Sequence, residues 1–128
     1  SGLDFSQIDG GAGVDTLVLD GVNLTLDLIG LGSKIQHIEI VDLGKSGTNS
    51  ITLDANGALS ITDRPEDDLI IKGSDGDRVN LVHGNGDIWA VNGQREVDGV
   101  QFDVWHNSGQ GNTLGDVLIQ HGLHVNMV

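Results

Sequence analysis

Asx-Gly dipeptides punctuate this chain, among them Asp20-Gly21, Asn56-Gly57, Asp75-Gly76, Asn85-Gly86, Asn92-Gly93 and Asp98-Gly99. Asn and Asp tolerate the left-handed backbone region and Gly enters it without cost, so each pair favours a tight turn. Around them lie short segments in which apolar and polar residues alternate. These are Thr16–Leu19, Leu24–Leu28, His37–Leu43, Ser50–Leu53, Leu69–Lys72, Arg78–Val82, Asp87–Val91, Val100–Val104, Val117–Gln120 and Leu123–Val128. Period-two alternation rich in Val, Ile and Thr marks a half-buried strand. The pattern predicts an all-β chain of about ten strands, with helix confined to a short turn around Gly30 to Lys34.

Composition sharpens that expectation. There are sixteen Asp against three Glu, beside 20 Gly, and the net charge is −13. Glu favours helix, whereas Asp favours turns and caps, so the acidic residues belong mainly to turns and solvated surface. So large a charge repels itself, and bound divalent cations would stabilise the compact state. It also argues against nucleic acid and anionic membranes as partners. The chain has no cysteine, so outside the cell it must be stable without disulfides, a role that calcium can fill. No apolar run approaches the roughly 18 residues needed to span a membrane as a helix. No N-terminal signal peptide is visible, so the chain reads as one excised module or as cargo of an export route that needs none. At 128 residues it is expected to form a single domain, and a monomer.

The candidate chemistry sits near the N-terminus. Gly10 to Val18 has the form G-G-x-G-x-D-x-U-x, where U is a large apolar residue. Its glycines let the backbone turn sharply and bring carbonyls towards one point, Asp15 adds a carboxylate, and Leu17 anchors the following strand. Calcium takes about six to eight oxygens in a flexible shell, and such a turn supplies them. Asp9 and Asp15 would give carboxylates, and the Gly10 to Gly13 backbone, Gly11 and Gly13 foremost, would give carbonyls. The rest of the shell must come from a neighbouring turn, expected between Asp42 and Asn49, with Glu39 and Asp42 as further carboxylates. Gly13 to Leu19 aligns with Gly47 to Leu53 as G-x-[D/N]-x-U-x-L, at a spacing of 34. Asp75 to Leu81 is a weaker third copy, and its Asp75 and Asp77 form a second acidic turn, a further candidate calcium site against the plainer reading of a hairpin turn. These echoes predict a short β-roll- or β-helix-like N-terminal part, followed from about Leu69 by an antiparallel β-sandwich.

Other clusters read as ordinary surface or core. Asp63, Glu66, Asp67 and Asp68 around Pro65 form a solvated loop. His121 and His124 are offset by three, which puts their rings on opposite faces of a strand, so they read with His106 as surface residues rather than a zinc site. Trp89 and Trp105 are two of four aromatics and are expected in the core. There is no G-x-S-x-G elbow, no cysteine nucleophile and no phosphate loop, and no carboxylate pair has a plausible base or apolar pocket beside it. An enzyme is not expected.

With those residues in view, the chain resembles modules of the giant repeats-in-toxin (RTX) adhesins that Gram-negative bacteria export by type I secretion. The resemblance runs through Ile8 to Leu17 (Ile-Asp-Gly-Gly-x-Gly-x-Asp-Thr-Leu), Leu24 to Leu28 (Leu-x-Leu-Asp-Leu) and Ile38 to Leu43 (Ile-Glu-x-x-Asp-Leu). It continues through Gly47 to Leu53, Gly76 to Leu81, Gly99 to Val104 and a final apolar strand pair, so it covers nearly the whole chain. The first of these motifs is the calcium-binding nonapeptide of RTX proteins. The resemblance implies a secreted, calcium-dependent β-module at the bacterial surface, acting in adhesion and biofilm formation. It also implies that the module flanks or brackets the ligand-binding domains of the same adhesin. One variety, the split domain, carries such a domain inserted within it; no insert is visible here, and the long nonapeptide arrays of the family are absent. Alternatives are a glycan- or peptide-binding module, and the C-terminal, secretion-associated domain of an RTX enzyme.

Overall fold

A computed structural model describes residues 8–9, 13–19, 22–31, 35–44, 48–54, 61–62, 68–74, 76–82, 88–107 and 116–127. Their alternating pattern becomes twelve strands and one helical turn. In chain order these are β1 (Ile8–Asp9), β2 (Thr16–Val18), β3 (Thr25–Asp27), α1 (Leu28–Leu31), β4 (Ile35–Gln36) and β5 (Ile40–Asp42). There follow β6 (Ser50–Leu53), β7 (Leu69–Lys72), β8 (Arg78–Leu81), β9 (Trp89–Val97), β10 (Val100–Asn107), β11 (Val117–Gln120) and β12 (His124–Met127). The described chain is all-β apart from α1, which starts two residues ahead of the expected turn at Gly30, and the helical Ile61.

The strands fall into a six-stranded sheet of order β2-β5-β7-β11-β10-β9, a four-stranded sheet of order β12-β8-β6-β3, and the pair β1-β4. The chain alternates between the two larger sheets. Each circuit lays one strand in the first and the next strand in the second, so the excursion through one sheet serves as the crossover that parallel neighbours require. Thr16 pairs with Ile40, Ile40 with Ile70 and Ile70 with Leu118, all in parallel register. Likewise Thr25 pairs with Ser50, Ser50 with Arg78 and Arg78 with His124. The alternation of each strand therefore stacks into columns. Val41, Ile71 and Ile119 point inward from one sheet, and Ile51 and Val79 from the other, all essentially inaccessible to solvent. Ile35 and Ile61 join the same core, and the Ile38 amide donates to the Ile61 carbonyl at 2.8 Å. Burying each such side chain contributes about 1.5–3 kcal/mol.

Two expectations change here. An antiparallel arrangement was expected from Leu69 onward, yet β7, β8, β11 and β12 continue the parallel stack. Among the described residues, antiparallel pairing is confined to β9, β10 and β11. Turn residues that suit a hairpin suit the corners between sheets equally well. Asp98-Gly99 is a true hairpin turn, with φ of 52° and 81°, as a two-residue type I′ connection demands. Asn92-Gly93 instead lies inside β9, where Gly93 has φ 92° opposite the register shift between Asp103 and Trp105, so it makes a bulge. The second change concerns the repeat. Strands that stack are 24 or 25 residues apart in the first circuit (Thr16 to Ile40, Thr25 to Ser50), not 34. The spacing of 34 compares β2 with β6, which lie in different sheets.

The hairpin β9–β10 extends the six-stranded sheet two strands beyond β11. Phe102, Val104 and Leu118 form a second buried cluster there, joined by Ile70, Val97 and Val100. Leu118 alternates with the inward Val117 and Ile119, so this cluster occupies the opposite face of the sheet.

Candidate functional site

Asp15 and Glu39 hold equivalent places, each one residue ahead of its strand in neighbouring circuits. The Asp15 carbonyl accepts hydrogen bonds from the Glu39 and Ile40 amides, both at 3.1 Å. In return, the Asp15 amide donates to Glu39 Oε1 at 3.0 Å. The carboxylate of Glu39 is thereby drawn back over the turn that carries Asp15. Gly13 precedes it with φ 90°, in the left-handed region that Gly enters freely. Asp15 is half-buried, and its Oδ2 is shielded from solvent with no hydrogen-bond partner among the described residues. An unsatisfied buried carboxylate oxygen costs free energy unless a cation or water meets it. Asp9 lies on β1 opposite Gln36 of β4. Gly11 and Asp75 lie outside the described residues.

The other expected ligands are not brought to this turn. Asp42 stands at the far end of β5 from Glu39, about 10 Å along the strand. Its Oδ1 accepts from the Gly44 amide at 2.9 Å and so shapes the next corner. Gly44 has φ 89°, and a Cβ there would lie 2.5 Å from the Leu19 carbonyl oxygen. We therefore expect Gly44→Ala to destabilise the fold by about 2 kcal/mol, measured by chemical denaturation; an unchanged midpoint would contradict the close stacking of these corners.

Asn49 and Asp77 form a different turn stack, at the corners leading into the four-stranded sheet. Both are buried, at 0% and 1% exposure. Asn49 Oδ1 accepts from the Leu24 amide at 2.8 Å, and its Nδ2 donates to the Leu43 carbonyl at 2.7 Å. Asp77 Oδ1 accepts from the Asn49 amide at 2.9 Å, and Oδ2 accepts from the Ser74 amide at 2.8 Å. The Ser74 hydroxyl reaches the Gly44 carbonyl at 3.1 Å. Each circuit thus satisfies the corner of the one before it through a side chain. The alignment of Gly47–Leu53 with Asp75–Leu81 identified partners in this stack. The matching of Asp15 with Asn49 did not, because the residue facing Asp15 is Glu39. The signal for that pairing was their shared place just before Thr16-Leu17-Val18 and Ile40-Val41-Asp42.

Further acidic residues find basic partners along the β7, β11, β10 and β9 side of the six-stranded sheet. Asp68 meets Arg95 Nη1 at 2.8 Å and accepts from the Asp116 amide at 2.8 Å, while Asp116 lies 2.7 Å from His106 Nδ1. His121 is exposed and lies 3.2 Å from Asp103, and His124 lies 2.8 Å from Asn126. Trp89 is buried and donates to the Val82 carbonyl at 3.2 Å, and Trp105 packs partly buried against the same core, as expected of both. Asp63, Glu66 and Asp67 lie outside the described residues. Among the described residues no three His, Cys, Asp or Glu side chains converge, and no helix is long and apolar enough to cross a membrane. Comparison with protein-family models, curated proteins and solved structures finds no match to this chain.

Proposed function

We propose that this chain is a non-catalytic, calcium-stabilised structural module of a secreted RTX adhesin at the bacterial surface. In it, stacked β-roll circuits carry an antiparallel extension, and the whole positions or brackets neighbouring ligand-binding domains. The observation that carries the reading is the pairing of Asp15 with Glu39 across two circuits, with Asp15 Oδ2 buried and unsatisfied within a complete calcium-type nonapeptide. Two carboxylates and a glycine-rich backbone form the hard, oxygen-only donor set that calcium prefers. Asp15 and Glu39 would hold the ion, the Gly13 carbonyl would face it, and Asp9 and Gly11 are the nearest further donors in sequence. Bound calcium supplies positive charge between two like-charged side chains.

The residues of the chain do the rest. Glu39 fixes the Asp15 amide, the Asp15 carbonyl fixes β5 beside β2, and Gly13 permits the turn. Where calcium is scarce, repulsion between the carboxylates loosens the β2–β5 corner and suits passage through a narrow export channel. Where calcium is abundant, the corner locks and the module becomes a stiff spacer. Amide hydrogen exchange tests this locally: calcium should slow exchange at Thr16 to Val18 and Ile40 to Asp42, while the β9–β10 hairpin changes little. Equal protection with calcium and with chelator would refute the proposal.

A further inference from the structure

The outward face of the four-stranded sheet carries a hydrogen-bonded row of neutral polar side chains, with Asp27 of β3 beyond its Thr52 end and Arg78 of β8 on the adjoining row. Thr52, Asn80 and Asn126 share one register position on β6, β8 and β12. They alternate with the inward Ile51, Leu53, Val79 and Leu81, so they face away from the core. Asn126 Nδ2 donates to Asn80 Oδ1 at 3.1 Å, and Asn80 Nδ2 donates to Thr52 Oγ1 at 3.2 Å. His124 Nε2 lies 2.8 Å from Asn126 Oδ1, and on the adjoining row the hydroxyls of Thr25 and Ser50 are 3.3 Å apart. A depression of about 450 Å³ opens over the row, lined by Thr52, Asn80, Val82, Asn126 and Met127.

The lining specifies a chemistry. A primary amide has two N–H donors and two acceptor lone pairs. Within the chain of bonds Asn80 uses one of each, and one of each is left over. Thr52 accepts from Asn80 and keeps its own O–H. Donor–acceptor pairs therefore repeat across the groove at the strand spacing of about 4.8 Å. None of the five lining side chains is charged, in a chain with 19 acidic residues. A metal ion or a phosphate would find no charged side chain among these lining residues, the nearest on the same face being Arg78 and Asp27 at its margins. A neutral ligand with adjacent hydroxyls, each both donating and accepting, matches the amides, and Val82 and Met127 offer apolar contact to ring C–H groups. The volume lies within the roughly 300–1,000 Å³ of small-ligand sites.

We propose that this groove binds a neutral glycan. The site is independent of the Asp15–Glu39 corner, so either proposal can fail alone. The test is a titration of the full chain, in calcium-containing buffer, with glucose-, galactose-, mannose- and N-acetylglucosamine-terminated oligosaccharides and one sulfated oligosaccharide. The readout is the side-chain amide NMR signals of Asn80 and Asn126. At least one neutral glycan should shift both signals, and Asn80→Ala and Asn126→Ala should each weaken its binding about tenfold with the backbone spectrum retained. Thr52→Val supplies a third variant with the same expected direction if an alanine variant does not fold. The proposal is overturned if no neutral glycan shifts these signals, if only the sulfated one does, or if the folded variants bind as well as the parent chain.

Discussion

Calcium at about 10 mM should raise the melting temperature by about 5–10 °C over a chelated sample, and Glu39→Gln or Asp15→Asn should remove most of that rise. Extracellular calcium modules bind with dissociation constants of roughly 10⁻⁴–10⁻³ M, so this excess stabilises by about 1.4–2.7 kcal/mol per site. At about 3–4 °C per kcal/mol for a chain of this size, the stated shift follows. Glu39→Gln is the more discriminating variant. Glutamine keeps an oxygen that can accept from the Asp15 amide, where Glu39 Oε1 now sits at 3.0 Å, but it removes the charge that draws the cation. Stability in chelator should therefore change little, or rise as repulsion with Asp15 is relieved, while the response to calcium disappears. A calcium response that survives both substitutions would move the ion away from this corner.

Asp77→Ala should destabilise the fold by about 3–5 kcal/mol, equally in calcium and in chelator. Its carboxylate is buried and accepts from the Asn49 and Ser74 amides. Truncation strands two buried donors, each at about 1–3 kcal/mol. Asn49→Ala should act similarly, since Asn49 caps Leu24 in one circuit and holds the Leu43 carbonyl in its own. Asp77→Asn keeps one acceptor oxygen and should cost about half as much. Chemical denaturation of the variants in both buffers separates a hydrogen-bonded staple from a calcium ligand. If the loss on truncating Asp77 vanished in chelator, Asp77 would be a ligand and the buried stack would need reinterpretation.

These predictions reflect what the residues disclosed and what they hid. Alternation around Leu26, Val41, Ile51, Ile71 and Val79 predicted strands with one buried face, and those columns are the core. Strand direction was not legible, because Asp or Asn followed by Gly serves a hairpin at Asp98-Gly99 and a bulge at Asn92-Gly93. Parallel stacking is decided by long-range register, which a local pattern of period two does not encode. The nonapeptide singled out Asp15, but its partner depended on how far one circuit extends. Glu39 faces it, while Asn49, which shares its motif, belongs to another corner. The neutral row Thr52–Asn80–Asn126 escaped notice because its members come from three strands and share no motif.

If calcium is the staple of the first corner, the ion has one place to be. Anomalous scattering from crystals grown with calcium tests this most directly. A peak between the carboxylates of Asp15 and Glu39, with the Gly13 carbonyl in its shell, is the expected result. Full calcium saturation in solution with no peak at that corner would contradict it.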